Sequence, residues 1–248
     1  MNLPDLLPTL AGVLILSAIG TAVLAWYGVP HRWAPLLAIL RGVVQLAAIS
    51  VILAGVITSG FWVGVALFVM FTIAALTSTR RIGWSWRHAS LIASAMALGV
   101  SVTLGVVFAT GAIELSARYA LAIGGIVIGN AMTIATLSGR NISEAVTDHW
   151  EDVEGWLALG ATPRQSTLEL GRRAIYNALV PSIDQTKTTG LVTLPGAFVG
   201  AIFGGVSPIE AGRFQIVVLA SIMAAGAITA VVVTWWLAPV KFKPVKLD

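Results

Sequence analysis

The sequence predicts an all-α polytopic membrane protein of about seven transmembrane helices with one cytoplasmic helical hairpin, and three observations predict it. First, 57% of the 248 residues are hydrophobic and only 10% are charged, with a mean hydropathy of +0.91; soluble domains carry about 25% charged residues. Second, several apolar runs approach or exceed the roughly 20 residues that cross a bilayer as a helix. The alternating strands of about ten residues that mark a membrane barrel are absent. Third, seven of the eleven acidic residues fall between Glu144 and Asp184, so one polar block stands alone in an apolar chain.

Spans are predicted near residues 5–27, 34–58, 61–79, 89–110, 119–138, 188–206 and 214–238. An odd number of crossings places the termini on opposite sides, and the basic residues choose which. One side receives Arg32, the Arg80/Arg81/Arg87 loop, the Arg140–Lys187 block, Lys241, Lys243 and Lys246; the other receives only Arg118 and Arg213. The polar block and C-terminus are therefore expected in the cytoplasm, with the N-terminus outside, in the cell (inner) membrane. Trp26, Trp33, Trp84, Trp86, Trp235 and Trp236 flank the inner span ends, where amphipathic rings settle. Met1 to Pro8 lacks Lys and Arg, so no cleavable signal is expected. Residues 1–248 read as one transmembrane domain, with the hairpin over 139–187 inside it.

The first span carries no charge beyond its ends. The second carries Arg41 and Gln45, one turn apart on one face. An arginine about 10 Å from the span's end is either a pathway or gate residue or an interhelical contact that snorkels or finds a carboxylate. In the fifth span Gly125 and Gly129 are spaced for close helix approach, and Asn130 is able to hydrogen-bond across that contact or line a pore. Met132 is either packing or a soft ligand. The segment 188–206 contains Pro195 followed by Gly196, Gly200 and Gly204. Such a broken helix suits a gate, a re-entrant element or a tight packing face. Asp184 and Lys187 are spaced to pair with each other, as are Glu114 with Arg118 and Glu210 with Arg213. All three read mostly as solvated boundary pairs, and Asp184 and Lys187 also stand among the pathway or gate candidates with Arg41, Gln45, Asn130, Met132, Pro195, Gly196, Gly200 and Gly204.

The hairpin is predicted as two helices around a tight turn. Ser143 is a candidate N-cap, and Val146, Trp150, Val153 and Leu157 follow one helical stripe. Gly160 fits the position just past a helix end. Thr162, Pro163 and Gln165 then form a capping box with proline at N1. The second helix sets Leu168, Ile175, Ala178 and Leu179 against Glu169, Arg172, Arg173 and Asn177, and Pro181 is expected to close or kink it. This hairpin either packs on its own membrane domain or docks a soluble partner.

Several chemistries are excluded or poorly supported. There are no cysteines, hence no disulfide or thiolate site, and His31, His88 and His149 are separated. Neither a phosphate-binding G-x-x-x-x-G-K-[ST] loop nor H-E-x-x-H nor G-x-S-x-G occurs, so no enzyme activity or resident cofactor is expected. The basic residues lie at loop ends rather than in a nucleic-acid footprint. The spans hold almost no carboxylates, which argues against a proton-coupled or sodium-coupled transporter.

The stretch Glu154-Gly-Trp-Leu-Ala-Leu-Gly160-Ala161-Thr162-Pro163-Arg164-Gln165 resembles the cytoplasmic loop of ABC-transporter permeases, in which a Glu six residues before a Gly marks the short helix that seats on the ATPase. It departs from that pattern at Gly155-Trp156 and in the position of Pro181. A wider resemblance covers nearly the whole chain. Arg41-x-x-x-Gln45-Leu, Gly129-Asn-Ala-Met132, Leu159-Gly-Ala-Thr-Pro-Arg-Gln165, Asp184-x-x-Lys187-Thr-x-Gly-Leu-Val-x-Leu-Pro-Gly196, Ile202-Phe-Gly-Gly and Ser207-Pro208 occur in order, and together they are similar to the FetB family of permeases. That family is associated with bacterial iron export and has a plant branch linked to aluminium tolerance. The resemblance implies a homodimer of this chain with two copies of a separate ATPase subunit, which holds ATP and magnesium. It also implies that Trp150, Glu154, Leu157, Gly160, Ala161, Thr162, Pro163 and Arg164 form the coupling element. A self-contained channel or secondary transporter and a non-transporting scaffold are the alternatives.

Overall fold

The computed structural model describes residues 3–56 and 59–243; positions 57 and 58 of the second predicted span, and Lys246, lie outside them. The chain divides into two units, Met1–Thr58 and Ser59–Asp248.

The first unit is a helical pair, α1 (Leu3–Trp26) and α2 (Ala34–Val56). Both are apolar nearly throughout, as membrane helices are. The buried Ser17 hydroxyl donates to its own helix at Val13 O, 2.7 Å away. This is the usual way a hydroxyl is satisfied inside an apolar helix.

The second unit is built around α5 (Ala117–Asp148), which packs on α3 (Gly60–Ile82), α4 (Trp86–Ala109), α8 (Leu168–Thr188) and α10 (Pro208–Leu237). Its main core joins Ala74, Ile92, Met96, Ile123, Val127, Ala131, Val218 and Ala225. Small residues dominate the helix contacts, as expected where lipid and protein are equally apolar and close approach drives association. Polar stitches add to this. Thr136 donates to Ser78 across α5 and α3 at 3.0 Å, and Arg140 Nε donates to Arg81 O at 3.1 Å. Helices α1, α3, α4, α5 and α10 are each long and apolar enough to cross a membrane, and α2 adds a shorter apolar stretch over Ala34–Ser50. The protein is a multi-pass integral membrane protein.

Two features differ from the sequence reading. Ser143 is not an N-cap: α5 runs unbroken through it to Asp148, because Ile142 and Val146 are buried against Ala174 and Ala238 and hold the helix beyond the apolar span. Residues 188–206 do not form one spanning helix either. Helix α8 ends at Thr188, a turn follows with Gly190 at φ +90°, and α9 (Gly196–Phe203) has only 8 residues. Eight residues cover about 12 Å, under half of a bilayer's hydrocarbon layer.

The missing length comes from α8, which lies in the bundle antiparallel to α10. Gly171 faces Thr234, and eight residues along each helix Leu179 faces Gly226. Pro181 does not close α8, which continues seven residues beyond it. Phe198 of α9 reaches Gly212, near the opposite end of α10. Helix α8, the turn and α9 together therefore run the length of α10.

Gly226 admits α8 because any side chain there would strike Ile134 and meet Leu179. Gly226→Leu should lower the thermal midpoint of the detergent-solubilised protein clearly below that of Gly64→Leu, where nothing lies within 4 Å. Overpacking of this kind costs about 1–3 kcal/mol. Equal midpoints would contradict the described seat of α8.

Candidate functional site

Between α5 and α8 the chain makes an elbow at the Trp235 end of the bundle. His149 breaks helix geometry (φ −109°, ψ 34°), and α6 (Trp150–Ala158) begins after it. Trp150 turns back onto the Ile142–Val146–Ala174–Ala238 cluster, and Val153 is fully buried. Glu151 and Asp152 occupy the first turn of α6, where carboxylates favour the helix dipole.

The far end of α6 is closed by a glycine at φ +91°, Gly160. Its N–H donates to Leu157 O and that of Ala161 to Trp156 O, both at 3.0 Å. These two bonds make a Schellman motif, which requires the left-handed residue that glycine supplies without strain. Two residues on, the expected capping box is formed: Gln165 N donates to Thr162 Oγ1 at 3.3 Å, and Thr162 N donates to Gln165 Oε1 at 2.8 Å. It starts α7 (Pro163–Ser166). Thr167 Oγ1 donates to Pro163 O at 2.9 Å, and α8 follows directly.

This elbow is stiff at its base and bare at its tip. The Arg164 guanidinium carbon lies 3.6 Å from the centre of the Trp235 ring, a cation–π contact that ties α7 to the end of α10. At the tip Trp156 is 58% exposed and Leu159 83% exposed, and Glu154 on the same helix is exposed as well. Beside them an open cleft of about 470 Å³ runs between α6 and the start of α8, lined by His149, Asp152, Trp156, Glu169 and Arg173 among others.

Of the sequence-predicted coupling residues, Glu154, Gly160, Thr162 and Arg164 are exposed on the elbow, while Leu157, Ala161 and Pro163 are half-buried in it. Trp150 belongs to the packed base rather than the tip. Trp156 and Leu159, which dominate the exposed tip, were not among the candidates. They fall off the Val146–Trp150–Val153–Leu157 stripe, and large apolar residues off the buried stripe are the signal that finds them.

The predicted pathway residues scatter. Arg41 and Gln45 are exposed one turn apart on α2, and Arg41 has no ion pair among the described residues. Asn130 donates to its own helix at Ile126 O, 2.9 Å, rather than across a helix contact. Gly125 meets Met70, whereas Gly129 meets nothing within 4 Å. Met132 packs against the main core. Pro195 precedes α9 as its N-cap; Gly196 and Gly200 face open space, and Gly204 ends the helix. No group of three or more His, Cys, Asp or Glu capable of holding a metal occurs among the described residues.

The expected Asp184–Lys187 pair is formed, at 3.7 Å. Continuing the antiparallel register, Asp184 is level with Ser221 of α10, fourteen residues from Trp235, or about 21 Å at 1.5 Å per residue. Taken from Trp235 as an interfacial ring, that distance is more than half of a hydrocarbon layer about 30 Å thick. Both side chains are well exposed in the protomer. A lipid-facing charge at such depth costs about 2.5–3.5 kcal/mol even on lenient insertion scales. The face carrying Glu169, Arg173, Asn177 and Asp184 is exposed.

Comparison with known proteins now gives the family. The model of an uncharacterised protein family, UPF0014, matches residues 7–242. The rice UPF0014 membrane protein STAR2 is 37% identical over 209 residues, covering 84% of this chain and 73% of its own length. The Arabidopsis thaliana protein ALUMINUM SENSITIVE 3 is 32% identical over 197 residues, covering 79% and 72%. The Escherichia coli probable iron export permease protein FetB is 35% identical over 138 residues, covering 56% and 53%. No solved structure matches. The chain thus belongs to the UPF0014 membrane protein family.

Proposed function

We propose that this chain is the membrane-spanning permease subunit of an ABC transporter, driven by a separate ATPase, and that it exports iron or a related metal or solute. The observation that carries the reading is the elbow: a doubly capped helix–turn–helix with an exposed apolar tip, stacked through Arg164 on the end of α10. A motor outside the membrane needs a handle of this kind. A floppy loop would absorb the motion, whereas Gly160, the capping box and the Arg164–Trp235 stack pass it to α8 and α10 together.

The basic residues support a cytoplasmic elbow. Arg80 and Arg81 end α3, Arg140 bonds to Arg81, and Arg164 stacks on Trp235, so these cations gather at one end of the second unit. Arg118 in the first turn of α5 and Arg213 in the second turn of α10 lie at the other. By the positive-inside rule this distribution supports a cytoplasmic elbow. Two copies of this chain with two ATPase subunits, which hold ATP and magnesium, complete the proposed machine. The relative named as a probable iron export permease suggests the substrate and its direction.

The test is reconstitution. The purified chain alone should move no metal in liposomes, and addition of its ATPase should confer ATP-dependent export; transport by the chain alone would instead make it a channel or secondary transporter. The double variant Trp156→Asp, Leu159→Asp should lose co-purification with the ATPase while keeping the wild-type elution profile. Arg164→Ala should retain ATPase binding, because it leaves the tip intact, yet show several-fold less transport per ATP hydrolysed. A cation–π contact of about 0.5–2 kcal/mol is enough for that effect. Unchanged coupling in Arg164→Ala would remove the stack from the mechanism.

A further inference from the structure

We propose that the polar face of α8 lines a water-filled path at membrane depth, and that the Asp184–Lys187 pair is its charge lock, opened when a divalent cation takes the place of the lysine ammonium on the Asp184 carboxylate. The inference rests on the permease reading for its direction and energy source, but not for its geometry.

The argument runs from the helix outward. Gly171, Ala174, Ala178 and Ser182 are buried, at spacings of three and four, and form the stripe that seats α8 on α5 and α10. On the other side Asn177 and Asp184 are exposed at i and i+7, on a single face, and Gln185 is exposed beside Asp184 where the buried stripe runs out. Lipid is excluded as the neighbour of that face because charged groups inside membranes turn toward protein or a water-filled cavity. Water is favoured over dry protein by the pair itself. At 3.7 Å it is loosely held and well exposed, and no third charged group joins it among the described residues.

The chemistry of the lock follows from what surrounds it. Helix α8 ends four residues beyond Asp184, so the partial negative charge of its C-terminus adds to the carboxylate. The Thr188 hydroxyl donates to Asp184 O at 2.9 Å and the Thr189 hydroxyl to Gln185 O at 2.7 Å. The chain then leaves helical geometry at Gly190. A helix that ends with a carboxylate in its last turn is similar to the half-helix C-terminal ends that receive cations in membrane transporters. Oxygen donors of this type suit hard and borderline divalent cations. One carboxylate partly neutralised by a lysine holds such an ion briefly rather than tightly, as passage requires.

The chain's lack of cysteine makes the test direct. Asn177→Cys and Gln185→Cys, each in the otherwise unaltered full-length chain in membrane vesicles opened to both sides, are treated with a charged, membrane-impermeant thiol reagent; Val102→Cys on the apolar face of α4 is the control. Thiolate forms only where water reaches, so both positions should label roughly tenfold or more faster than the control. Millimolar Mn²⁺ should slow labelling at Gln185→Cys several-fold. Adding Asp184→Asn should abolish that protection, and Lys187→Gln should shift it to lower Mn²⁺. Labelling no faster than the control at both positions, no Mn²⁺ effect in any background, or protection that survives Asp184→Asn would each overturn the proposal. None of these readouts involves the ATPase, so a chain that labels as expected but never couples to ATP would sink the permease reading alone.

Discussion

A charged helix packed along two apolar ones is the constraint on which this architecture depends. Helix α8 averages close to neutral in hydrophobicity, yet it runs antiparallel to α10 for most of its length. Its buried stripe is narrow and made of small residues, so close contact with α5 and α10 is the only apolar burial it has. Everything polar on its other side needs a surrounding other than lipid. The glycines at 171 and 226 admit the contact; the elbow delivers α8 to it in the required direction; the turn at Gly190 ends the helix once it is past mid-depth.

The elbow and the buried half of α8 form one mechanical unit. Capping at both ends of the turn removes slack, and the junction at Thr167 joins α7 to α8 without a loop. Arg164 binds the same unit to α10 from the side. A displacement applied at the exposed tip therefore moves α8 against α5, and with it the polar face that carries Asp184. In the proposed transporter the site of energy input and the site of passage are two ends of one stretch of chain, residues 150–188.

Much of this was legible in the sequence, for identifiable reasons. Composition alone gives the membrane class. Gly160 and Thr162-Pro163-Arg164-Gln165 encode their turn locally, and both caps are found where the residue types demand them. Ser143 misleads because a local cap signal is overridden when Ile142 and Val146 find tertiary partners. The sixth crossing misleads for a different reason. Hydropathy assigns membrane location by average, and a helix with one apolar stripe and one charged face averages to nothing, so α8 read as a surface helix and the apolar 188–206 was given the whole span. Trp156 and Leu159 are hidden in the opposite sense, because an apolar residue in a charged helix gives no local sign that it stands in the open.

The most direct measurement of the central claim is the pair of inter-copy distances reported by spin labels at Ala158→Cys, on α6, and Leu191→Cys, in the turn after α8, in the assembled complex with and without ATP. A rigid elbow moving α8 predicts that both distances change together on ATP binding, and that Arg164→Ala uncouples the change at 191 from that at 158. A shift at 158 with position 191 fixed in the unmodified chain would contradict the account.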